Sequence, residues 1–234
     1  MSVACRIAER TDHQALAAFL RQPMSNTWSI GYDLPSGLEP ACSAMGERWQ
    51  AAIVRHANGH IDGCGFRFVQ PVVLHGRPTR LGYLGWMRRS PDAAPSLTAT
   101  RTRACMAALV ATRTADELPW DLTAIMADNR PARRLLERGL PGLPRYHRLG
   151  NFRTALFACS AYAGAGSPRV EERAGDDPEC IQLVLTSWRH HGLAPQTVCA
   201  DRFWCLSANG GLVACLGLRQ DTAVAELDLE PLPV

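Results

Sequence analysis

The chain has 234 residues, of which 47% are hydrophobic and 20% charged, and its formal net charge is +3. This composition excludes a disordered or collagen-like protein, and the length supplies ample material for a buried core. No lysine occurs among the 25 basic residues, so Schiff-base chemistry and a phosphate-binding-loop lysine are excluded, and the small net charge argues against a general basic coat for nucleic acid.

Thr11-Asp12 reads as a helix cap, and His13 to Arg21 then places Leu16, Phe19 and Leu20 on one side. Residues 22–46 carry Pro, Gly, Ser and Asn punctuation, which predicts a long loop with a short helix. Arg48 to Arg55 is strand-like, and Asn58-Gly59 is a hairpin signal. Ile61 to Gln70 predicts a strand with Phe66 and Phe68 on one face and Arg67 opposite. Val72 to Leu74, a turn at 75–78, and Thr79 to Met87 follow as strand, turn and strand. After Ser90-Pro91, a helix is expected over Leu97 to Arg113. Then come a short strand (Leu122 to Met126), a helix (Pro131 to Arg138, stopped by Gly139) and a strand (Gly150 to Cys159). The expected class is α/β, with a mixed sheet.

Nine cysteines without a C-x-x-C pair predict reduced thiols, small core residues and a cytoplasmic protein rather than a disulfide scaffold. Cys and His lack the spacing of metal ligands, so no metal site is expected. No segment approaches the roughly 20 apolar residues of a membrane span, and the first ten residues do not read as a signal peptide. The charge is unevenly distributed. Residues 1–76 are neutral, residues 77–153 carry 14 Arg against 6 acids, and residues 154–234 carry 5 Arg against 10 acids. The middle segment is thus a candidate anion-binding region, or alternatively a solvated arginine face.

An internal similarity recurs at an offset of 151 residues: ANGHIDGC at 57–64 and ANGGLVAC at 208–215. Strand-like residues flank both turns, and a capped amphipathic helix precedes each, the second starting near Asp177-Pro178. The expected organisation is a first domain over 1–160, a linker over 161–175, and a partial repeat of helix plus hairpin over 176–234. His190-His191 is expected at the surface of the tail helix. Open strand edges near 203–219 would pair with the first domain or with a second copy in a homodimer.

The element order and the segment Asn129-Arg130-Pro131-Ala132-Arg133-Arg134-Leu135-Leu136-Glu137-Arg138-Gly139-Leu140 resemble the GNAT superfamily of acyl-CoA-dependent N-acetyltransferases, whose pattern is N-x-x-A-x-x-L-Y-x-x-x-G-F. Arg77 to Arg89 resembles the central strand of bacterial relatives, many of them tandem. The resemblance covers roughly residues 1–160 plus the tail fragment. It implies acetyl-CoA or another acyl-CoA as co-substrate and an amine, small molecule or protein, as acceptor; neither nucleic acid nor membrane is implied. Two strands would part after a bulge, and pantetheine would lie along Met87, Arg88 and Arg89. Ser96, Leu97 and Thr98 would face the pyrophosphate at a helix N-terminus, with Asn129 and Arg133 on the cofactor's other side. The acceptor site would be built from the first helix and the 22–46 region, with Trp28, Tyr32 and Trp49 as lining residues or simply core.

Departures from the pattern are specific. The stretch 91–99 has no glycine where the family has a glycine-rich loop, and Pro95 lacks an N–H. Leu136 stands where the family has its general-acid tyrosine, and Trp86 stands where an acidic residue is expected. Tyr83 and Tyr146 are the nearest substitutes, either as catalytic groups or as core-edge tyrosines. Two readings follow: an N-acetyltransferase working by direct transfer, or a degenerate module that binds a ligand or partner without catalysis.

Overall fold

The structure is a computed structural model that describes residues 5–22, 28–29, 32–56, 59–91, 98–127, 129–139, 143–151, 170–208, 210–219 and 230–231. The fold is mixed α/β. Its main sheet contains β1 (Cys5–Ile7), β3 (Arg48–Arg55), β4 (Ile61–Leu74), β5 (Arg77–Arg89) and β6 (Glu117–Thr123), hydrogen-bonded in the order β1-β3-β4-β5-β6. All neighbours are antiparallel except β5 and β6, which run parallel. A two-residue strand, β2 (Trp28–Ser29), pairs with β11 (Glu230–Pro231).

Helices cover both faces. On one face lie α1 (His13–Arg21) and α2 (Leu38–Met45), on a core of Leu16, Leu20, Cys42, Ile53, Phe66 and Phe68. On the other lies α3 (Thr98–Val110), where Cys105, Met106 and Leu109 meet Ala52, Val54 and Leu84. Alternation along β3 splits its side chains between the two cores: Ala51 and Ile53 go one way, Ala52 and Val54 the other.

Several expectations shift. Pro71 does not break the strand; β4 runs for 14 residues through it. A proline lacks only the N–H, and its carbonyl still accepts from Gln196 N–H at 3.2 Å. The turn after β4 is tight, with positive φ at both His75 and Gly76, the signature of a two-residue hairpin. The strand expected at Leu122–Met126 begins earlier, at Glu117. Among the described residues β6 is the edge strand of the main sheet, a position that tolerates Pro119. Asp12 does stand at the N-cap of α1, but its carboxylate makes no cap bond there. It accepts instead from Arg6 (2.7 and 2.9 Å), Arg55 (2.6 Å) and the Glu9 N–H (2.8 Å). The strand expected at 150–159 lies outside the described residues from 152 onward, and Gly150 and Asn151 are not in a strand.

The chain's second part forms its own three-stranded sheet, β10 (Gly211–Leu218), β9 (Arg202–Ala208) and β7 (Val170–Ala174), against α5 (Pro178–Trp188). β7 occupies residues assigned above to the linker. The Asp177 side chain caps α5 by accepting from the N–H groups of Glu179 and Cys180, both at 3.0 Å. The helix stops at Trp188, so His190 and His191 follow it rather than lying within it. Cys180, Phe203 and Cys205 are the buried centre of this unit. Strand β8 (Leu193–Pro195) leaves it and pairs with Val72–Leu74 of β4.

The two units share a path. In each, a first strand pairs antiparallel with a strand that comes after a helix (β1 with β3, and β7 with β9 once the chain has passed through β8), and that strand makes a hairpin with the next. Both hairpins carry one extra residue in the last strand. Asp62 is skipped between the Arg55–Ile61 and Val54–Gly63 pairs. Val213 is skipped between the Ser207–Leu212 and Leu206–Ala214 pairs. Those two positions stand at the same offset as the sequence similarity.

Candidate functional site

Among the described residues, the sheet opens between β5 and β6. The β5–β6 register runs from Arg80 to Leu84, opposite Glu117 to Thr123, and ends there, with the Thr123 hydroxyl donating to the Leu84 carbonyl at 2.8 Å. Among the described residues, β5 continues to Arg89 paired with β4 alone. Just past the parting point, β5 bulges: Cys64 pairs with Arg88 and Phe66 with Gly85, so Trp86 and Met87 together face Gly65. Trp86 adopts φ 48°, a left-handed conformation that is costly for a bulky side chain. What holds it is aromatic packing. Its ring lies 5.2 Å from Phe66, 5.1 Å from Phe68 and 5.2 Å from Tyr32. Tyr32 and Trp49 thus both sit at the α1–α2 core, and Trp49 also stacks on Phe66 at 6.3 Å.

Tyr83 stands beside the opening. Its ring lies over Gly85, where an added Cβ would come within 2.8 Å of it. Its hydroxyl is within hydrogen-bonding reach of the backbone N–H of Ala124, the first residue after β6. Burial raises its pKa above the usual phenol value, more than the Ala124 bond lowers it. Tyr146 does not join it. It packs on the opposite face of the sheet, in the α3 core, where burial followed by the charge of Asp121 pushes its hydroxyl up to about 12.

The bulge decides where the next side chains go. Met87 turns into the α3 core, whereas Arg88 turns to the α1 side. The Arg88 guanidinium lies 4.7 Å over the Tyr32 ring and donates to the Gln22 carbonyl at 2.5 Å. Burial pulls its pKa down from the ordinary arginine value. Arg89 is exposed and pairs in register with Gly63. Ser96 and Leu97 lie outside the described residues, and Thr98 begins α3.

Asn129 caps α4 (Arg130–Glu137): its Oδ1 accepts from Ala132 N–H at 3.2 Å, and Pro131 sits in the first turn. Arg133 donates to the Ala127 carbonyl at 3.2 Å and lies 3.6 Å from Glu137. These two residues therefore stabilise the start of α4. Among the described residues no group of three or more His, Cys, Asp or Glu side chains could hold a metal ion.

Two features were not legible in the sequence. A cleft of about 610 Å³ opens between α1 and the end of the β3–β4 hairpin, lined by Ala15, Phe19, Gln22, His56, His60 and Ser90. It reaches the C-terminal end of β5, because Ser90 follows Arg89. Beneath the strands on the α3 side is a buried charge network. Arg67, 1% exposed, crosses Gly82 of β5 to reach Glu117 and Asp121 of β6, with 2.7 Å from its Nη2 to Asp121. Arg113 holds the second Asp121 oxygen at 2.5 Å, and Arg48 lies 3.2 Å from Glu117. A Cβ on Gly82 would fall on Asp121 Oδ1 and on the Arg67 guanidinium, so this strand needs glycine there.

No helix among the described residues is long and apolar enough to cross a membrane. No protein-family model matches the chain, and no curated protein matches it. Among solved structures, it is similar to an acetyltransferase of Trypanosoma brucei, at 16% identity and a TM-score of 0.43, over 66% of this chain and 100% of that one. It is also similar to a Pyrococcus furiosus protein named as an acetyl transferase, at 12% identity and a TM-score of 0.37, over 65% of this chain and 100% of that one.

Proposed function

We propose that the chain is a GNAT-type N-acyltransferase that moves an acyl group directly from acyl-CoA to an amine. The observation that carries this reading is the opening in the main sheet: parallel pairing of β5 and β6 ends at Leu84–Thr123, next to a strained bulge at Trp86. An extended pantetheine chain can add to the backbone of β5 there as a further strand would. The thioester would then sit beside the Tyr83 hydroxyl. The neutral amine attacks the thioester carbonyl, and a backbone N–H of the bulge stabilises the oxyanion. The C–S bond breaks as Tyr83 gives its proton to the departing thiolate, and the proton the new amide nitrogen loses returns to the Tyr83 phenolate through water. Tyr83 is favoured over Tyr146 because it stands at the opening, on the face that also carries the cleft.

In this reading the acceptor enters the cleft between α1 and the β3–β4 turn. Arg88 shapes that side through Gln22 and Tyr32, and it leaves phosphate contacts to Arg89, Arg133 and the segment 96–98. The second unit is read as a partial copy of the first, supported by its pairing order and its matching bulge.

Calorimetric titration with acetyl-CoA and with CoA tests the proposal. Saturable heat for both is expected, and Arg133→Ala and Arg89→Ala weaken it while Arg88→Ala leaves it unchanged. No heat at millimolar ligand refutes acyl-CoA use. The glycine-free 91–99 segment and Leu136 favour a second reading, a binding module without catalysis; saturable CoA binding with no transfer to any amine would establish it.

A further inference from the structure

Among the described residues, sulfur atoms meet in pairs at two places. Cys5 of β1 and Cys105 of α3 lie 3.8 Å apart, Sγ to Sγ, at the edge of the core between the main sheet and α3. Cys180 of α5 and Cys205 of β9 lie 3.2 Å apart at the centre of the second unit. All four are free thiols. The pairs differ in access. Cys180 and Cys205 are both fully buried, so a dissolved oxidant does not reach them. Cys105 is buried too, but Cys5 is only partly buried, so it is the more accessible member of its pair.

We propose that Cys5 and Cys105 form a peroxide-sensitive thiol pair that closes to a disulfide between β1 and α3. The Cys5 thiolate attacks a hydroperoxide oxygen. The O–O bond breaks, hydroxide leaves, and Cys5 becomes a sulfenic acid. The Cys105 sulfur then attacks the Cys5 sulfur, the S–O bond breaks, and the oxygen departs as water with the Cys105 proton. In total, two thiols and one hydrogen peroxide give one disulfide and two waters.

The environments suit these two roles. The contact with Cys5 and burial raise the pKa of Cys105, while Cys5 has the more open position. The attacking sulfur is therefore the accessible one, and the resolving sulfur is the protected one. The product would fasten α3 to the first strand of the main sheet. The inference stands independently of the acyltransferase reading.

The test treats the full-length chain with hydrogen peroxide, blocks remaining thiols by alkylation, and maps unreduced peptides by mass spectrometry. The expected result is one cross-linked pair, Cys5 with Cys105, lighter by two hydrogens. Cys105→Ala should lose the link and let a sulfenic-acid probe label Cys5. If Cys105→Ala unfolds, Cys5→Ser serves instead, because removing either sulfur abolishes the link. A link at Cys180–Cys205 with none at Cys5–Cys105 overturns the proposal. So does irreversible oxidation of Cys5 in the unsubstituted chain without any link.

Discussion

Replacing Arg67 by methionine tests the buried charge network directly. Arg67 and the Glu117 side chain are each 1% exposed, and the Asp121 side chain is 4% exposed. Methionine keeps much of the volume but leaves two buried carboxylates without their shared cation. Removing one partner of a buried pair costs about 3–5 kcal/mol. Here Arg113 still holds Asp121, and Arg48 still approaches Glu117, so the lower end is expected. A loss of about 3 kcal/mol is roughly a 100-fold change in the unfolding equilibrium.

The assay is urea unfolding at several pH values. Burial pushes the Glu117 carboxyl up, but hydrogen bonds from Arg67 and Thr114 outweigh it and hold the group below the usual glutamate value. A lowered folded-state pKa contributes stability that is present above the unfolded-state pKa, about 4.3, and is lost as pH falls through the folded value. In Arg67→Met, burial acts with less opposition, and Glu117 takes up its proton at higher pH. The deficit should therefore be largest near pH 7.5 and shrink toward pH 5. A deficit equal at both pH values would refute the charge argument and indicate lost packing instead.

Gly82→Ala should destabilise by a comparable amount, because its Cβ competes with Asp121 and Arg67 for one space; an unchanged urea midpoint would contradict this. Tyr83→Phe should lower kcat by about 100-fold, with KM for acyl-CoA nearly unchanged, as steady-state kinetics would show. Gly85→Ala should lower kcat as well, since its Cβ displaces the Tyr83 ring, and full activity would remove Tyr83 from the reaction. Asp12→Asn should weaken the clasp between β1, β3 and α1. The Arg6 hydrogen bond, opposed by burial and aided by the Glu9 N–H and Arg55, holds Asp12 far below the usual carboxylate range. Its contribution is present above about pH 3.9 and lost on acidification, so the variant's acid-unfolding curve should be flatter.

The hairpin strands were readable because their patterns are local. Phe66 and Phe68 alternate with Arg67, and the helices at 13–21 and 178–188 carry their own start signals. Strand β1 escaped, since three residues give no periodicity and their partners lie in β3. Strand β6 was placed late because Glu117 and Asp121 look like surface residues until Arg67 arrives from another strand. The same holds for the site. The motif at Asn129 marks a helix cap, but nothing local separates Tyr83 from Tyr146, which end on opposite faces. Nor does sequence announce that a bulge at Trp86 sends Arg88 to the α1 side.

The pairing of β8 with the far end of β4 bears on how the molecule assembles. β3 accompanies β4 only as far as Val69, and Leu193–Pro195 take over opposite Val72–Leu74. Among the described residues, the far end of β4 is therefore paired on that side by the second unit rather than by the first. On a growing chain, that stretch of β4 waits for a segment synthesised much later, and closing so long a loop is slow. Until then the strand offers an unsatisfied edge to other chains, so the period before residue 195 emerges is when aggregation competes most strongly with folding.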